Sequence, residues 1–306
     1  MPTLRQLSYL VALAEERHFR RAAERVHVSQ PTLSTQLQEL ERRLKAPLIE
    51  RPSSRVALTP LGRDIAERAR RVLAEVQDIV DLAAASQHGL SGTLRLGVPP
   101  TLGPYLLPHI LPRLQARHPE LKFYVREGKP HALQSDLQGG YYDLVVSPLP
   151  VTQADLAVER LFREPLLVVA ARNHPLAGRQ RIDRSDLAGQ KVLAIEPGHH
   201  LHEQVRALCD ELGATLLRDY EGTSLDTLRQ MAGMGFGLAF LPALYVRSEI
   251  GARGEVAVIA LEGRSLSRQI GLLWRRRSVH AERFAALAGV IRALAGQHLP
   301  EVTVTG

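Results

Sequence analysis

A chain of 306 residues, 45% hydrophobic and 23% charged, has enough apolar material for two or three packed units. Its single cysteine, Cys209, excludes an internal disulfide and implies no oxidising compartment. The net charge of +7 fits a polyanionic partner. Its distribution is more telling, because residues 1–58 hold 10 Lys and Arg against 6 Asp and Glu. Arg63, Arg68, Arg70 and Arg71 against Asp64 and Glu67 raise that excess to +6 by residue 71, as expected where phosphates are neutralised.

Leu4, Leu7, Leu10, Val11 and Ala14 fall at helical spacing and predict a first amphipathic helix. Phe19–Val26 predicts a short second one, with Ala22 and Ala23 small enough for close contact. Ser29 is an N-cap residue and Pro31 suits a first turn, so a third helix runs through Leu33, Leu37, Leu40 and Leu44. Two extended runs, Leu48–Arg51 and Val56–Leu58, flank Pro52–Arg55 and predict a small wing. Thr59 and Pro60 open a long helix to about His88. Ile65, Ala69, Val72, Val76, Ile79 and Ala83 form a heptad seam on it, read as a dimer contact through Ile65, Val72, Val76 and Ile79.

After a flexible joint at Gly89–Gly92 the pattern changes. Strands are expected at Thr93–Val98, Leu121–Arg126, Asp143–Ser147, Leu166–Ala171, Val192–Ile195, Leu238–Leu241, Val256–Leu261 and Ile270–Trp274. Helices are expected at Tyr105–Ala116, His131–Gln138, His200–Leu212, Leu225–Ala232 and His280–Ala295. This alternation argues for α/β layers with mostly parallel sheets. Met1–Val11 is interrupted by Arg5 and lacks an export signal's pattern. The longest apolar run, Met231–Val246, contains Pro242 and is shorter than the ~20 residues of a spanning helix. A cytoplasmic setting without a membrane partner is expected.

Arg21–Ser34, Leu37, Leu40-Glu41, Leu48–Arg51 and Leu58–Gly62, in this order, resemble the DNA-binding region of the LysR family of transcriptional regulators. The resemblance implies an N-terminal all-α winged helix-turn-helix (1–58) and a linker and dimerisation helix with its hinge (59–89). Beyond them it implies an α/β, two-lobed sensor like a periplasmic solute-binding protein, with lobe I at 92–162 plus 268–296 and lobe II at 163–267. It also implies operator DNA and RNA polymerase as partners, a homodimer or homotetramer, and a small-molecule effector between the lobes.

A recognition helix presents small polar groups at its N-terminal end to the major groove. Gln30, Thr32, Ser34 and Thr35 fit that role beside Ser29 and Pro31, and Gln can pair with adenine. Arg51 and Arg55 at the wing fit phosphate or minor-groove contacts. Ser29 is foremost a cap.

For the sensor, Gly103–Ile110, Gly198-His199, Thr223–Arg229, Leu241–Leu244 and Ile270–Leu272 resemble the family's peroxide-sensing branch. In that branch a reactive cysteine follows the Gly-His pair and a second cysteine nine residues later resolves it. His200 stands at the reactive position here and only Cys209 remains, so the disulfide switch is absent. The effector-binding residues expected are Pro100, Thr101, Leu102, Pro130, His131, Pro148, His199, His200, Thr223, Ser224 and Arg275. Loops at strand ends and helix N-termini favour a small anion, such as a carboxylate. The alternative is a redox-responsive regulator using Cys209, which also fits a helix core face with Val205 and Leu212. No metal ligand set, cofactor or catalytic motif is expected: His199, His200 and His202 diverge along a helix, and no G-x-S-x-G, H-E-x-x-H or P-loop occurs.

Overall fold

The computed structural model describes residues 1–50, 56–85, 92–151, 153–179, 181–222, 224–251, 254–262 and 266–305, without the side chains of 78, 81–85 and 219–221. Arg51, Arg55, the joint at 89–91 and Thr223 therefore lie outside the described residues. The chain divides into two units, Met1–His88 with Asp136–Tyr142, and Gly89–Ser135 with Asp143–Gly306.

In the first unit, α1 (Leu4–Glu16) starts on a capping box in which Thr3 and Gln6 exchange side-chain-to-backbone bonds. The short helix α2 (Phe19–Arg25) leads to α3 (Gln30–Leu44), whose N-cap is Ser29 with Pro31 in the first turn. Leu10, Leu13, Leu33, Leu37, Leu40 and Leu48 close an apolar core between them. A single antiparallel bridge, Ile49 to Leu58, marks the wing, and Glu41 pins its base by accepting from the N–H groups of Leu48 and Ile49 at 2.8 and 3.0 Å. The helix α4 (Pro60–Ala85) is capped by Thr59, whose Oγ1 accepts from Gly62 N. A Cβ at Gly62 would lie 2.1 Å from the Leu48 carbonyl oxygen, which is why glycine stands there.

After α4 the chain forms β1 (Gly92–Val98), α5 (Gly103–Arg117), β2 (Leu121–Glu127), α6 (Pro130–Gln138) and β3 (Leu144–Leu149). It continues with the 16-residue β4 (Leu156–Ala171), β5 (Arg181–Ile182), β6 (Lys191–Ile195), α7 (His200–Leu212) and β7 (Thr215–Gly222). Then come α8 (Leu225–Gly233), β8 (Leu238–Pro242), α9 (Ala243–Glu249), β9 (Val256–Leu261), β10 (Ser267–Arg275), α10 (Ala281–His298) and β11 (Thr303–Val304).

The main strand path is β2-β1-β3-β10-β4-β8-β6-β7. Pairing is parallel where helices cross over, at β1 with β2 and β3 and at β6 with β7 and β8. It is antiparallel around β4 and β10, so the sheets are mixed, not mostly parallel as the alternation predicts. The reason is topological. β4 and β10 carry the chain between two cores in opposite directions, and strands that do so side by side run antiparallel. Leu161 and Phe162 of β4 belong to one core, with Leu96, Ile270 and Leu287. Leu166 and Val168 of the same strand belong to the other, with Val192, Val205 and Leu241.

Candidate functional sites

At the N-terminal end of α3, Gln30, Pro31, Thr32 and Thr35 are exposed and Ser34 is half-buried, while Leu33 and Leu37 face the core. Ser29 Oγ accepts from Thr32 N at 3.3 Å and shares a 2.8 Å hydroxyl bond with Thr32 Oγ1. The cap thus engages one of the expected reading groups and leaves Gln30 and Thr35 outward. Much of this unit's positive charge is already paired at the surface. Arg20 binds Glu24, Arg25 binds Glu15 and Glu16, and Arg42 and Arg43 hold the Glu39 carboxyl down to about 2.

On α4 the expected seam is divided. Ile65 packs against the winged-helix core, Val76 is half-buried, and Val72 and Ile79 are 40% and 67% exposed. Val80, which the heptad reading passes over, is 55% exposed beside them.

At the crossing of the second unit sits a feature the sequence reading misses. Arg268 of β10 and Glu164 of β4 stand directly opposite, 1% and 0% exposed, with Nη2 2.8 Å from Glu164 Oε2. Arg268 also donates from Nη1 to Thr101 Oγ1 at 3.2 Å and from Nη2 to the Thr101 carbonyl at 2.8 Å. Glu164 Oε1 accepts from Leu244 N at 3.0 Å. Two strands, the β1–α5 turn and the start of α9 are therefore tied at one point. A charged residue inside an apolar strand, twice over, is the signal in Leu161–Val169 and Leu266–Leu273.

His200, first residue of α7, reaches the carbonyl of Leu149 on the other lobe, and burial, with Arg268 nearby, holds its imidazole below the usual value. His199 is buried, with Nε2 3.7 Å from Glu196 Oε1 and no hydrogen-bond partner at Nδ1. Burial, then Lys129, holds its pKa down as well. Lys129 Nζ spans the lobes to Glu196 Oε1 at 2.9 Å. Tyr105 of α5 meets Tyr245 of α9 edge-on at 5.1 Å, and Tyr245 Oη donates to Asp226.

Other expected effector residues fall differently. Leu102 is fully buried in a lobe core, Pro130 and Pro148 are buried, Pro100 is half-buried and His131 is exposed. Ser224 caps α8 through Thr227 N. Arg275 ends β10, seven residues and roughly 20 Å from Arg268 at about 3.3 Å per residue. Arg268 is the arginine that the structure bonds to Thr101. Among the described residues no His, Cys, Asp or Glu cluster could hold a metal, and His202 Nδ1 lies 2.7 Å from the Ile195 carbonyl. Cys209 is 2% exposed in a lobe core, and burial raises its thiol to about 11.

Residues 4–63 match the model for the bacterial regulatory helix-turn-helix protein of the lysR family, and residues 87–296 that for the LysR substrate binding domain. The chain is 42% identical over 300 residues, 98% of each chain, to the DNA-binding transcriptional dual regulator OxyR of Escherichia coli K12. It is 35% identical to a probable hydrogen peroxide-inducible genes activator of Streptomyces viridosporus, over 95% of this chain and 94% of the other. Among solved structures it resembles a full-length cysteine-to-aspartate OxyR variant from Pseudomonas aeruginosa, with TM-score 0.78 and 36% identity over 95% and 98% of the chains. A peroxide-bound cysteine-to-serine OxyR variant from Corynebacterium glutamicum gives TM-score 0.65 at 32% identity, over 97% and 95%. Two family models in tandem over a winged helix and a two-lobed α/β unit leave one assignment: the chain is a LysR-type DNA-binding transcriptional regulator of OxyR-like form.

Proposed function

We propose that this regulator is switched by a small molecule seated between the lobes of its sensor unit, and not by a thiol–disulfide couple. The carrying observation is the convergence of Thr101, His200 and Arg268 on the lobe crossing while the sole thiol is buried in a lobe core. A disulfide within one chain needs two cysteines, and the imidazole at position 200 forms no sulfenic acid. A buried thiol pushed up to about 11 is a poor nucleophile near neutrality. Being OxyR-like, the protein acts by binding and not by catalysis, in the cytoplasm, on double-stranded operator DNA and with RNA polymerase as its target.

DNA reading rests in this account on Gln30, Thr32, Ser34 and Thr35, with Arg51 and Arg55 on phosphate or in a neighbouring groove. Val72, Val76 and Ile79 supply the dimer seam, with Ile65 at its root in the winged-helix core, and two such dimers make a tetramer. A ligand that prefers one arrangement of the lobes shifts the spacing of the DNA-binding domains by its differential affinity alone. Operator-driven reporter expression tests the reading. Thr101→Val keeps basal operator occupancy and loses the response to growth conditions that Cys209→Ser retains. A Thr101→Val protein with the full wild-type response would refute it.

A further inference from the structure

The chain re-enters the first unit at Asp136–Tyr142, where α6 ends. The helix stops on a Schellman turn, in which Tyr141 N donates to the Asp136 carbonyl at 2.8 Å and Gly140 N to the Leu137 carbonyl at 3.1 Å. Gly140 has φ +78, the left-handed conformation that such a turn needs. Immediately beyond it Asp143 is gripped by β1. Its carboxylate accepts from Arg95 N and Nη2, both at 2.7 Å, and its own N–H donates to the Arg95 carbonyl at 2.9 Å. The turn is therefore held by a helix before it and a strand after it.

A second demand on Gly140 comes from α4. A Cβ at residue 140 would lie 2.3 Å from the Ala74 Cβ, with the Arg70 carbonyl oxygen at 3.6 Å. The missing side chain lets the turn seat directly on the helix, and Ala74 is buried there. One helical turn earlier, the Arg70 guanidinium stands 6.0 Å from the Tyr141 ring centroid and reaches Glu15 Oε1 of α1 at 3.4 Å. Ala66, one turn earlier again, belongs to the winged-helix core. Ala66, Arg70 and Ala74, spaced by four, form one stripe along α4. Val72 points about 200° away from Ala74, at about 100° per residue, so the stripe leaves the proposed dimer seam uncovered.

We propose that this turn is a docking contact in cis through which the sensor unit sets the angle of α4, with Gly140 and Ala74 as the fitted pair. The chain joins the two units once through residues 86–91, and the docked turn is a second attachment. One tether leaves rotation free, whereas two attachments apart from each other remove it. A displacement of α6 and β3 is then delivered to α4 at Ala74, and to α1 through Arg70 and Glu15. The contact works the same way whatever effector moves the sensor, so its failure would leave the proposed effector reading untouched.

The test uses the full-length protein as wild type, Gly140→Ala, Gly140→Ala/Ala74→Gly and Ala74→Leu, read by hydrogen exchange of residues 136–142 and by a footprint on operator DNA. Gly140→Ala is expected to drive the turn off α4, raising exchange across 136–142 at least about tenfold and altering the protected length of operator, with exchange in α1 and α3 unchanged. Ala74→Gly removes the obstructing methyl, so the double variant returns both readouts toward wild type. It does so although glycine weakens the helix and the strained φ at residue 140 remains. Backbone strain alone predicts the opposite, a double variant no better than the single one. Ala74→Leu adds bulk on α4 with a good helix former and no strained backbone, and should reproduce the Gly140→Ala result. Where Gly140→Ala does not fold, Ala74→Leu decides. Absence of rescue in the double variant, or wild-type exchange in Ala74→Leu, overturns the docking. Raised exchange with an unchanged footprint overturns the coupling and reduces the turn to a packing contact.

Discussion

The winged helix and the lobe crossing use charge in opposite ways. In the first, Arg20–Glu24 and Arg42–Glu39 lie on exposed helix faces over an apolar core that needs none of them. In the second, Glu164 and Arg268 are the core at that point, with Thr101 and Leu244 bonded to them. Surface pairs contribute little because water and salt screen them. A buried pair is a different object, because removing one partner strands the other in a low dielectric. The same residue types therefore tune a surface in one unit and fix a junction in the other.

The largest effect should come from breaking the junction. Arg268→Met leaves Glu164 unmatched and is expected to cost about 3–5 kcal/mol in urea unfolding, while Glu164→Leu/Arg268→Met recovers most of it. A single variant as stable as wild type would erase the contrast. Next, Val72→Asp puts a charge where the surface of α4 is 40% exposed in one chain. If that surface meets a second copy, dimer formation weakens by several kcal/mol, on the order of about 3, and sedimentation shows the shift. An unchanged oligomer would make Val72 an ordinary exposed valine.

Smaller effects sharpen the other side. Ser29→Ala removes the cap of α3 and should cost about 1 kcal/mol. Arg20→Ala, in a pair whose side chains are 77% and 62% exposed, should cost under about 0.5 kcal/mol. Acidification should act gently through His199 and His200. Both imidazoles are held below the ordinary 6.5 by burial, so the unfolded chain takes up protons first. Stability is then fully present above about pH 6.5 and declines as pH falls below it. Urea midpoints at about pH 7.5 and 5.5 check this, and His200→Asn should flatten the decline.

The winged helix was legible because its signals are local. Ser29, Pro31 and the Leu33–Leu44 spacing define α3 without help from the rest of the chain. The crossing was not, because its partners lie 104 residues apart and meet only once the β4–β10 register exists. Before that, Glu159, Arg160, Arg163 and Glu164 read as interruptions, so β4 was expected from Leu166 and begins at Leu156. α9 escaped for a related reason. Its seven residues follow Pro242 directly from a strand, and its first turn is held by Glu164 from elsewhere in the chain. β7, with Arg218, Asp219 and Glu221 in its run, shows no alternation to read. Arg275 ends β10 and is visible as a strand-end charge, whereas Arg268 is marked as special only by the register that sets it opposite Glu164.

The central claim is that operator occupancy is governed without a thiol switch. Its most direct test is a footprint on operator DNA for wild type and Cys209→Ser, each with and without hydrogen peroxide. The account predicts the same protected stretch in all four lanes. A wild-type footprint that changes with peroxide, and a Cys209→Ser footprint that does not, would contradict it and establish a single-thiol redox switch at Cys209.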